Sequence, residues 1–366
     1  MKLLSVVRRQ LQAVTVFKAY PFTTFLKQAF LFPYDYYLRD GESTFPLNIT
    51  LFLTLRCNAK CSMCNLRPLL NQNPGVELTF SEIKDLVTQV APKKPGFILF
   101  GGEPFLRKDI LDILALVKDH GMTCGIFTNG LPMKEESIKK MVRLGLDFVA
   151  FSLQGPEEIH NRIVGIPIAY DRLRRNVELF LKHRDKTGVL IHSTISADNA
   201  GYLEEMVTIA KELGVDAMRF GHPTFFTGGD IRANDRYWSR HFPGEDFRAI
   251  SWLYTPGEEG REIAERIIAL KKRRGDSVSF TPELDDQEVR VWYSDHFVSS
   301  RKCVFAWRGL FIYPNGDVCP CESFYYPMGN IREMTLEEIW NSEKYRHFRR
   351  QLKKGLFPGC ARCCKL

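Results

Sequence analysis

The chain has 366 residues, of which 45% are hydrophobic and 26% are charged. These are ordinary values for a globular protein, and no stretch approaches the roughly 20 unbroken apolar residues that a membrane-crossing helix needs. The length excludes a small disulfide-stapled peptide and favours one large α/β domain with an appendage, or two domains. Fifty-one basic against 43 acidic residues leave a net charge of +8, which permits an anionic partner without identifying one.

Residues 1–46 are predicted to form an amphipathic, aromatic N-terminal extension. An apolar stripe at helical spacing is followed by aromatic residues interleaved with lysine and arginine, which predicts either packing on the protein body or contact with a membrane surface. Arg8 and Arg9 interrupt the apolar core of a secretory signal, so we expect a cytoplasmic protein. Peripheral contact with the inner face of the membrane is left open. The stripe consists of Leu3, Leu4, Val7, Leu11 and Val14.

Between residues 47 and 222, short β-branched or aromatic runs alternate with amphipathic helical patterns. This alternation predicts an α/β fold, a partial (β/α)6 TIM-like barrel with its chemistry at the carboxyl ends of the strands. The predicted strands are 47–56, 97–101, 123–128, 148–153, 189–195 and 217–220. The predicted helices are 80–90, 110–120, 135–144, 170–183 and 202–213.

The first cysteine group directly follows the first predicted strand. Cys57, Cys61 and Cys64 have C-x3-C-x2-C spacing. A 4Fe-4S cluster has four irons, so three cysteines leave one iron open to a small molecule that can chelate it. A structural zinc site is the alternative, but zinc needs a fourth close ligand and none stands beside the triplet. The loop therefore predicts an iron-sulfur cluster with one open iron.

With Met63 as the apolar residue before the third cysteine, this loop resembles the signature of the radical S-adenosylmethionine (SAM) superfamily. The resemblance covers about residues 47–222 and the C-terminal module. It implies an enzyme whose open iron binds the amino and carboxylate groups of SAM. It also implies that an electron from the cluster splits the sulfonium, and that an external donor such as flavodoxin or ferredoxin is a partner. The resulting 5′-deoxyadenosyl radical would abstract hydrogen from the substrate.

Further motifs stand at the ends of the next three strands. Gly101-Gly102-Glu103-Pro104 resembles the family segment that holds the methionine amine of SAM. Two glycines let the backbone approach a ligand closely, and a carboxylate can pair with an ammonium group. Thr128-Asn129-Gly130 and Ser152 resemble the segments that line the SAM pocket with hydroxyl and amide groups.

Beyond the fourth strand the match is less complete. This chain has Gln154 where the family has an aspartate after Ser152-Leu153, so no role is carried over for that aspartate. Arg162 resembles an arginine of the family that meets a carboxylate of the cofactor; a surface loop is the alternative. Asn199 matches loosely, and helix capping is the commoner role of such a residue.

The rest of the chain is predicted to form a bridge or lid over residues 223–300 and a small module over residues 301–366. The module has a hairpin turning at Pro314-Asn315-Gly316 and contains six cysteines. It resembles the SPASM or twitch extension of radical enzymes, and we expect it to close the barrel.

The resemblance selects four cysteines as ligands of one auxiliary 4Fe-4S cluster that serves electron transfer. Cys319 and Cys364 are the two cysteines of the module that this selection leaves over. Structural zinc is the rival interpretation, because four cysteines with a C-x2-C half are also a zinc pattern. Cys124, inside the third strand, is expected to be a buried apolar residue. The selected cysteines are Cys303, Cys321, Cys360 and Cys363.

These patterns support three hypotheses about function. The aromatic N-terminus favours a radical SAM enzyme acting on an apolar or lipid-like small molecule. The auxiliary-cluster module favours, as the alternative, an enzyme that modifies a peptide or protein. A second alternative is a non-enzymatic, zinc-stabilised scaffold with basic runs for nucleic acid. No recognised nucleic-acid module accompanies those runs, so we expect no nucleic-acid partner.

Overall fold

The structure is a computed structural model that describes residues 22–71, 77–245, 248–249, 252–254, 257–275, 277–295, 297 and 299–366. The stripe predicted from Leu3 to Val14 lies outside the described residues. The strands are β1 Asn48–Thr54, β2 Gly96–Gly101, β3 Cys124–Thr128, β4 Phe148–Ser152, β5 Gly188–Thr194, β6 Ala217–Gly221, β7 Phe225–Phe226, β8 Arg248–Ala249, β9 Trp252–Leu253, β10 Val278–Thr281, β11 Gly309–Ile312, β12 Asp317–Cys319, β13 Phe324–Tyr325 and β14 Gly329–Asn330. The helices are α1 Phe22–Leu38, α2 Phe80–Val90, α3 Ile110–Asp119, α4 Glu135–Arg143, α5 Glu157–Val164, α6 Ala169–His183, α7 Leu203–Leu213, α8 Gly228–His241, α9 Glu258–Arg273, α10 Asp286–Trp292, α11 Leu336–Trp340 and α12 Glu343–Lys354.

One sheet of ten strands organises the described chain, in the order β10-β6-β5-β4-β3-β2-β1-β11-β12-β14. The strands from β10 to β11 run parallel, and β12 and β14 add antiparallel at one edge. The six predicted strands occur as β1 to β6, side by side in chain order, as short βα crossovers require. The predicted α/β fold with a parallel sheet is confirmed, and the sheet is open.

Two predictions about the ends of this sheet were wrong. β11 of the C-terminal module pairs in parallel with β1, so the module extends the sheet and does not close a barrel. Residues 223–300 are more than a bridge or lid, because α9 leads into β10 and β10 pairs in parallel with β6. The sequence hides this unit because β10 has only four residues and a long charged helix precedes it.

Helix α5 is an element that the sequence pattern did not predict. Its eight residues lie between Pro156 and Gly165, which is too short for a clear helical period. Its buried residues Ile159 and Ile163 pack against Met63. The helix therefore supports the first cysteine loop.

The two faces of the sheet are covered differently. One face packs against helices and contributes residues such as Ile49, Leu99 and Ile126 to the main core. The opposite face, called the inner face below, has an apolar layer of residues in register across β3, β4, β5 and β6. This layer consists of Phe127, Ala150, Leu190 and Ala217.

The end of the N-terminal extension packs on the C-terminal module. The rings of Tyr36 and Trp307 lie 4.9 Å apart, and the Asn341 side chain makes two 3.0 Å hydrogen bonds with the Ser43 backbone. Packing is therefore what the structure shows for this part of the extension. Helix α1 still exposes several large apolar side chains, including Phe30 at 81%. Among the described helices, none is both long and apolar enough to cross a membrane.

Arg349 on α12 joins this extension to the C-terminal module from a fully buried position. Its guanidinium donates to the carbonyl oxygens of Gly41, Ala306 and Trp340 at 2.8–3.0 Å. It also lies 4.1 Å from the ring of Trp340. Burial lowers the pKa of Arg349 to about 10, so the side chain stays charged at neutral pH.

Replacing Arg349 by methionine is expected to lower the free energy of unfolding by about 3 kcal/mol, because three buried carbonyls would lose their donor. Urea denaturation of the anaerobically purified protein measures this change. Arg350→Met is the control. Its guanidinium pairs with Glu343 near the surface, so a change below about 1 kcal/mol is expected. Equal losses in the two variants would contradict the role of Arg349.

Candidate active site at the strand ends

The first cysteine loop follows β1 and is held by backbone hydrogen bonds to α5. Lys60 and Ser62 donate their amides to the carbonyl oxygens of Val164 and Ile163, each at 3.0 Å. On the other side, the Asn71 side chain accepts from the Cys57 amide at 3.1 Å. The end of α5 thus fixes the middle of the loop, a contact that no sequence motif indicated.

The three thiols of this loop lie close enough for their charges to interact. Burial raises the pKa of Cys57 to about 11 and that of Cys61 to about 12, and the neighbouring cysteines add to both shifts. Burial also raises the pKa of Cys64. Such thiols stay protonated at neutral pH unless a metal replaces the proton.

The donor set of this loop fits the predicted cluster. Cys57, Cys61 and Cys64 are three free thiols on one loop, and burial raises the pKa of each. A 4Fe-4S cluster held by three cysteines keeps one iron open to a further ligand.

The Gly101-Gly102 segment packs against the backbone that leads into the cysteine loop. Gly102 and Glu103 donate their amides to the carbonyl oxygens of Thr54 and Arg56, each at 2.8 Å. A Cβ on Gly101 would lie 2.3 Å from the Thr54 oxygen, and one on Gly102 would lie 2.2 Å from the Arg56 oxygen. The sequence predicted a close approach to a ligand; the approach in the structure is to the chain itself.

Glu103 is fully buried and links the second strand end to the third. Its carboxylate accepts hydrogen bonds from the Thr128 hydroxyl and the Asn129 amide, both at 2.8 Å, and from the Phe105 amide at 3.1 Å. Burial raises the pKa of Glu103 to about 7 despite these donors. Oε1 accepts from Thr128 and Phe105 and Oε2 accepts from Asn129, so the carboxyl joins the second and third strand ends; its pairing with an ammonium group stays a prediction.

The Thr128-Asn129-Gly130 segment is tied to the cysteine loop as well. The Asn129 side-chain amide donates to the Asn58 side chain at 2.8 Å, and the Asn176 amide donates to the Gly130 carbonyl at 2.6 Å. The structure therefore brings together the loops after β1, β2 and β3, as the strand-end rule predicts.

Gln154 takes a structural position after β4. It is buried; its side-chain oxygen accepts from the Thr194 amide at 3.1 Å, and its backbone amide donates to Nδ1 of His160 at 3.0 Å. Burial lowers the pKa of His160 to about 4, so this ring is a neutral acceptor. Ser152 remains half-buried at the strand end.

Two predicted residues stand apart from this network in different ways. Arg162 is exposed on α5, consistent with the surface alternative. Asn199 makes no capping bond with its side chain. It instead donates to the carbonyl oxygens of Gln154 and Thr194 at 3.0 and 2.9 Å, so the helix-capping alternative was wrong.

The C-terminal cysteines separate into two groups. The four selected cysteines line one cavity, together with Phe305 and Lys365. Cys319 is buried in another apolar cluster with Phe52 and Tyr313, and the Cys364 thiol contacts Glu322. Cys319 and Cys364 do not line this cavity, although the Cys364 thiol also contacts the cavity cysteine Cys363. The cavity cysteines are Cys303, Cys321, Cys360 and Cys363.

No sequence pattern indicated the row of rings on the inner face. Phe311, Phe52, Phe100, Phe127 and His192, called the aromatic row below, follow one another with centroid separations of 5.9, 5.1, 5.7 and 5.7 Å. Its residues come from five strands, so only the strand order reveals it. Cys64 packs against the cluster that contains Phe52 and Phe311, which places the row beside the first cysteine loop.

Two family models match the chain. The radical SAM superfamily covers residues 51–196, and an iron-sulfur cluster-binding domain, SPASM, covers residues 303–364. The chain therefore belongs to the radical SAM superfamily and is an enzyme with a C-terminal SPASM domain. The radical SAM domain implies a 4Fe-4S cluster and SAM as cofactors, and the SPASM domain implies auxiliary iron-sulfur clusters. This finding rules out the non-enzymatic scaffold.

Individual relatives and solved structures agree with this class. The chain is 28% identical over 307 residues to an AdoMet-dependent heme synthase of Methanosarcina barkeri, covering 83% of this chain and 85% of the relative. It is 25% identical over 308 residues to a PqqA peptide cyclase of Gluconobacter oxydans, covering 81% and 76%. SuiB of Streptococcus suis bound to SAM has the same fold, with a TM-score of 0.61, 18% identity, and coverage of 85% of this chain and 69% of SuiB.

Gly102→Ala is expected to weaken SAM binding about tenfold, or about 1.4 kcal/mol, because the new methyl group would push the loop after β2 away from the cysteine loop. Equilibrium dialysis of labelled SAM against the reconstituted protein measures this affinity. The matched control is Gly229→Ala, where the added Cβ would lie an ordinary 3.5 Å from the Thr227 hydroxyl. Unchanged SAM affinity in Gly102→Ala would show that the contact does not shape the site.

The double variant Cys360→Ala/Cys363→Ala is expected to lose about four irons per chain, because it removes two of four proposed ligands of the auxiliary cluster. Iron and sulfide counting after anaerobic reconstitution measures the loss. Cys319→Ala, outside the cavity, is the control and should keep the full iron content. A loss of iron in Cys319→Ala but not in the double variant would refute the ligand assignment.

Proposed function

We propose that this enzyme abstracts a hydrogen atom from an apolar small molecule, for which a tetrapyrrole is the test case. Cys57, Cys61 and Cys64 would hold the SAM-binding cluster, with SAM across the rim formed by Gly101 to Glu103, Thr128 to Gly130 and Ser152. The bound cofactors supply reductive cleavage of SAM and removal of a substrate hydrogen. The four cavity cysteines would hold one auxiliary 4Fe-4S cluster.

The aromatic row is the observation that carries this proposal. Five rings in contact follow one another from the cluster beside Cys64. Phe52 and Phe311 are buried in that cluster, whereas Phe100, Phe127 and His192 are half-buried and present apolar surface on the inner face. Aromatic surfaces of this kind bind flat apolar molecules through burial and ring stacking, and they also exclude water from the reacting centre. The chain's own part in the reaction is thus to orient the substrate and keep its surroundings dry.

The relatives supply independent support for the substrate class. The Methanosarcina barkeri relative is a heme synthase, and its similarity extends over most of both chains. Membrane contact, by contrast, stays a prediction supported by exposed side chains of α1, such as Phe30 and Leu38.

A peptide substrate is the second candidate. It is supported by the similarity to the PqqA peptide cyclase of Gluconobacter oxydans. In such an enzyme the inner face would receive an aromatic or aliphatic side chain of the peptide rather than a planar macrocycle.

The test uses the reconstituted, SAM-loaded enzyme with an external reductant and deuterated Fe-coproporphyrin III as the probe. We expect deuterium in 5′-deoxyadenosine and a mass change of the porphyrin. Cys61→Ala should abolish both, because it removes one of the three proposed ligands of the SAM-binding cluster, whereas Cys124→Ala, buried in β3, should retain both. Deuterium transfer from a deuterated peptide but not from the porphyrin would favour the second candidate. Continued 5′-deoxyadenosine production by Cys61→Ala would contradict the cluster assignment.

A further inference from the structure

A row of polar side chains crosses the inner face beside the apolar layer. On β4, β5 and β6 it lies two residues closer to the carboxyl end of each strand than the apolar layer does. Ser152 on β4 is in register with His192 on β5, His192 with Arg219 on β6, and Arg219 with Ser279 on β10. Residues in register on neighbouring parallel strands direct their side chains to the same face of the sheet. These four residues, called the polar row below, therefore share the inner face with the aromatic row.

Two members of the polar row carry buried polar atoms that the described residues do not satisfy. These atoms are Nδ1 of His192 and Oγ of Ser279. Burial, and to a lesser extent the charges of Arg219 and Lys365, lower the pKa of His192 to about 3, so the ring is neutral at physiological pH. Buried polar atoms without a partner are rare in native proteins, and they commonly mark a place where a ligand or water binds.

A second cation reaches the polar row from the C-terminal tail. The Lys365 ammonium lies 5.2 Å from the ring centre of Phe305 and 5.6 Å from that of Phe311, a member of the aromatic row. Its charge also interacts with that of Arg219. The Glu322 carboxylate lies 3.8 Å from the ammonium, too far for a hydrogen bond. The charges of Cys364, Glu322 and Cys363 also act on the ammonium, whose three donors can serve a further acceptor.

We propose that Arg219, Lys365 and His192 bind a carboxylate group of the substrate while its apolar body lies against Phe100 and Phe127, the half-buried phenylalanines of the aromatic row. An arginine fork and a lysine ammonium are strong donors to carboxylates, and a neutral imidazole adds one donor. The surrounding rings lower the local polarity and so strengthen these charge-assisted bonds. This inference rests on the proposed function and narrows its substrate to a molecule with an apolar body and at least one carboxylate group.

SAM also has a carboxylate, so the carboxylate bound by these residues comes either from the substrate or from SAM. The position of the cations favours the substrate. The proposed SAM rim follows β1, β2, β3 and β4, whereas Arg219 is on β6 and Lys365 comes from the C-terminal tail. A carboxylate held there belongs to a molecule that extends along the inner face away from the rim.

The test compares two probes, metal-free protoporphyrin IX, which has two carboxylates, and its dimethyl ester, which has none. Fluorescence titration of the SAM-loaded holoenzyme should show the diacid binding about tenfold more tightly than the diester. Arg219→Gln and Lys365→Gln should each weaken diacid binding about tenfold, leave diester binding unchanged, and thereby remove the preference. Arg219→Lys should restore part of it. Arg236→Gln, exposed on α8, is the matched control and should behave as the wild type.

The results distinguish binding of the substrate carboxylate from binding of the SAM carboxylate. They also distinguish a failure of this inference from a failure of the proposed function. Iron content, SAM affinity and substrate-free SAM cleavage should stay at wild-type values in Arg219→Gln, which also shows that the variant folds. A weaker SAM affinity in that variant would assign the cations to SAM and overturn the inference. Equal binding of diacid and diester to the wild type would overturn it while leaving an apolar substrate intact. Failure of both probes to bind would reject the tetrapyrrole test case together with this inference.

Discussion

The backbone contact between the end of β1 and the Gly101-Gly102 segment is the constraint on which the rest of the site depends. The amides of Gly102 and Glu103 reach the carbonyls of Thr54 and Arg56, and no residue with a Cβ fits at either glycine without displacing that backbone. This contact fixes the start of the cysteine loop against the second strand. The buried Glu103 carboxylate then carries the link on to the third strand end through Thr128 and Asn129. Three loops are thereby held as one unit.

The inner face of the sheet adjoins these three loops and is the proposed binding surface for the substrate. The aromatic row begins beside the first cysteine loop and continues to His192, where the polar row crosses it. The C-terminal module adds Phe311 at one end, because β11 pairs with β1, and its tail adds Lys365. The SPASM domain therefore contributes side chains to the same face as the radical SAM domain. In this arrangement the proposed auxiliary site and the proposed substrate surface are neighbours, because Lys365 lines the cavity of the four cysteines and also lies near Phe311.

Burial explains several properties that the sequence leaves undefined. The thiols of the first loop and the carboxyl of Glu103 have raised pKa values because their charged forms lose water contact. Cysteines that resist ionisation in the metal-free chain become thiolates when metal binds, so metal loading and local order are coupled. Burial also shifts the pKa of Arg349, which lies outside the candidate active site. Its charge is retained in the interior because backbone carbonyls and two flanking rings surround it.

The sequence by itself determined the α/β class, the six strands β1 to β6 and the superfamily, because alternating periodicity and cysteine spacing are local patterns. It also indicated that the loops after β1, β2 and β3 meet, since parallel strands place their carboxyl ends at one edge. Only the tertiary structure decided that β11 extends the open sheet, that β10 joins its other side, and that the Glu103 carboxyl is hydrogen-bonded to Thr128 and Asn129. The same holds for the separation of Cys319 from the cavity and for the alignment of His192 with Arg219. These features depend on strand register and on contacts between residues far apart in the chain, which local residue patterns do not encode.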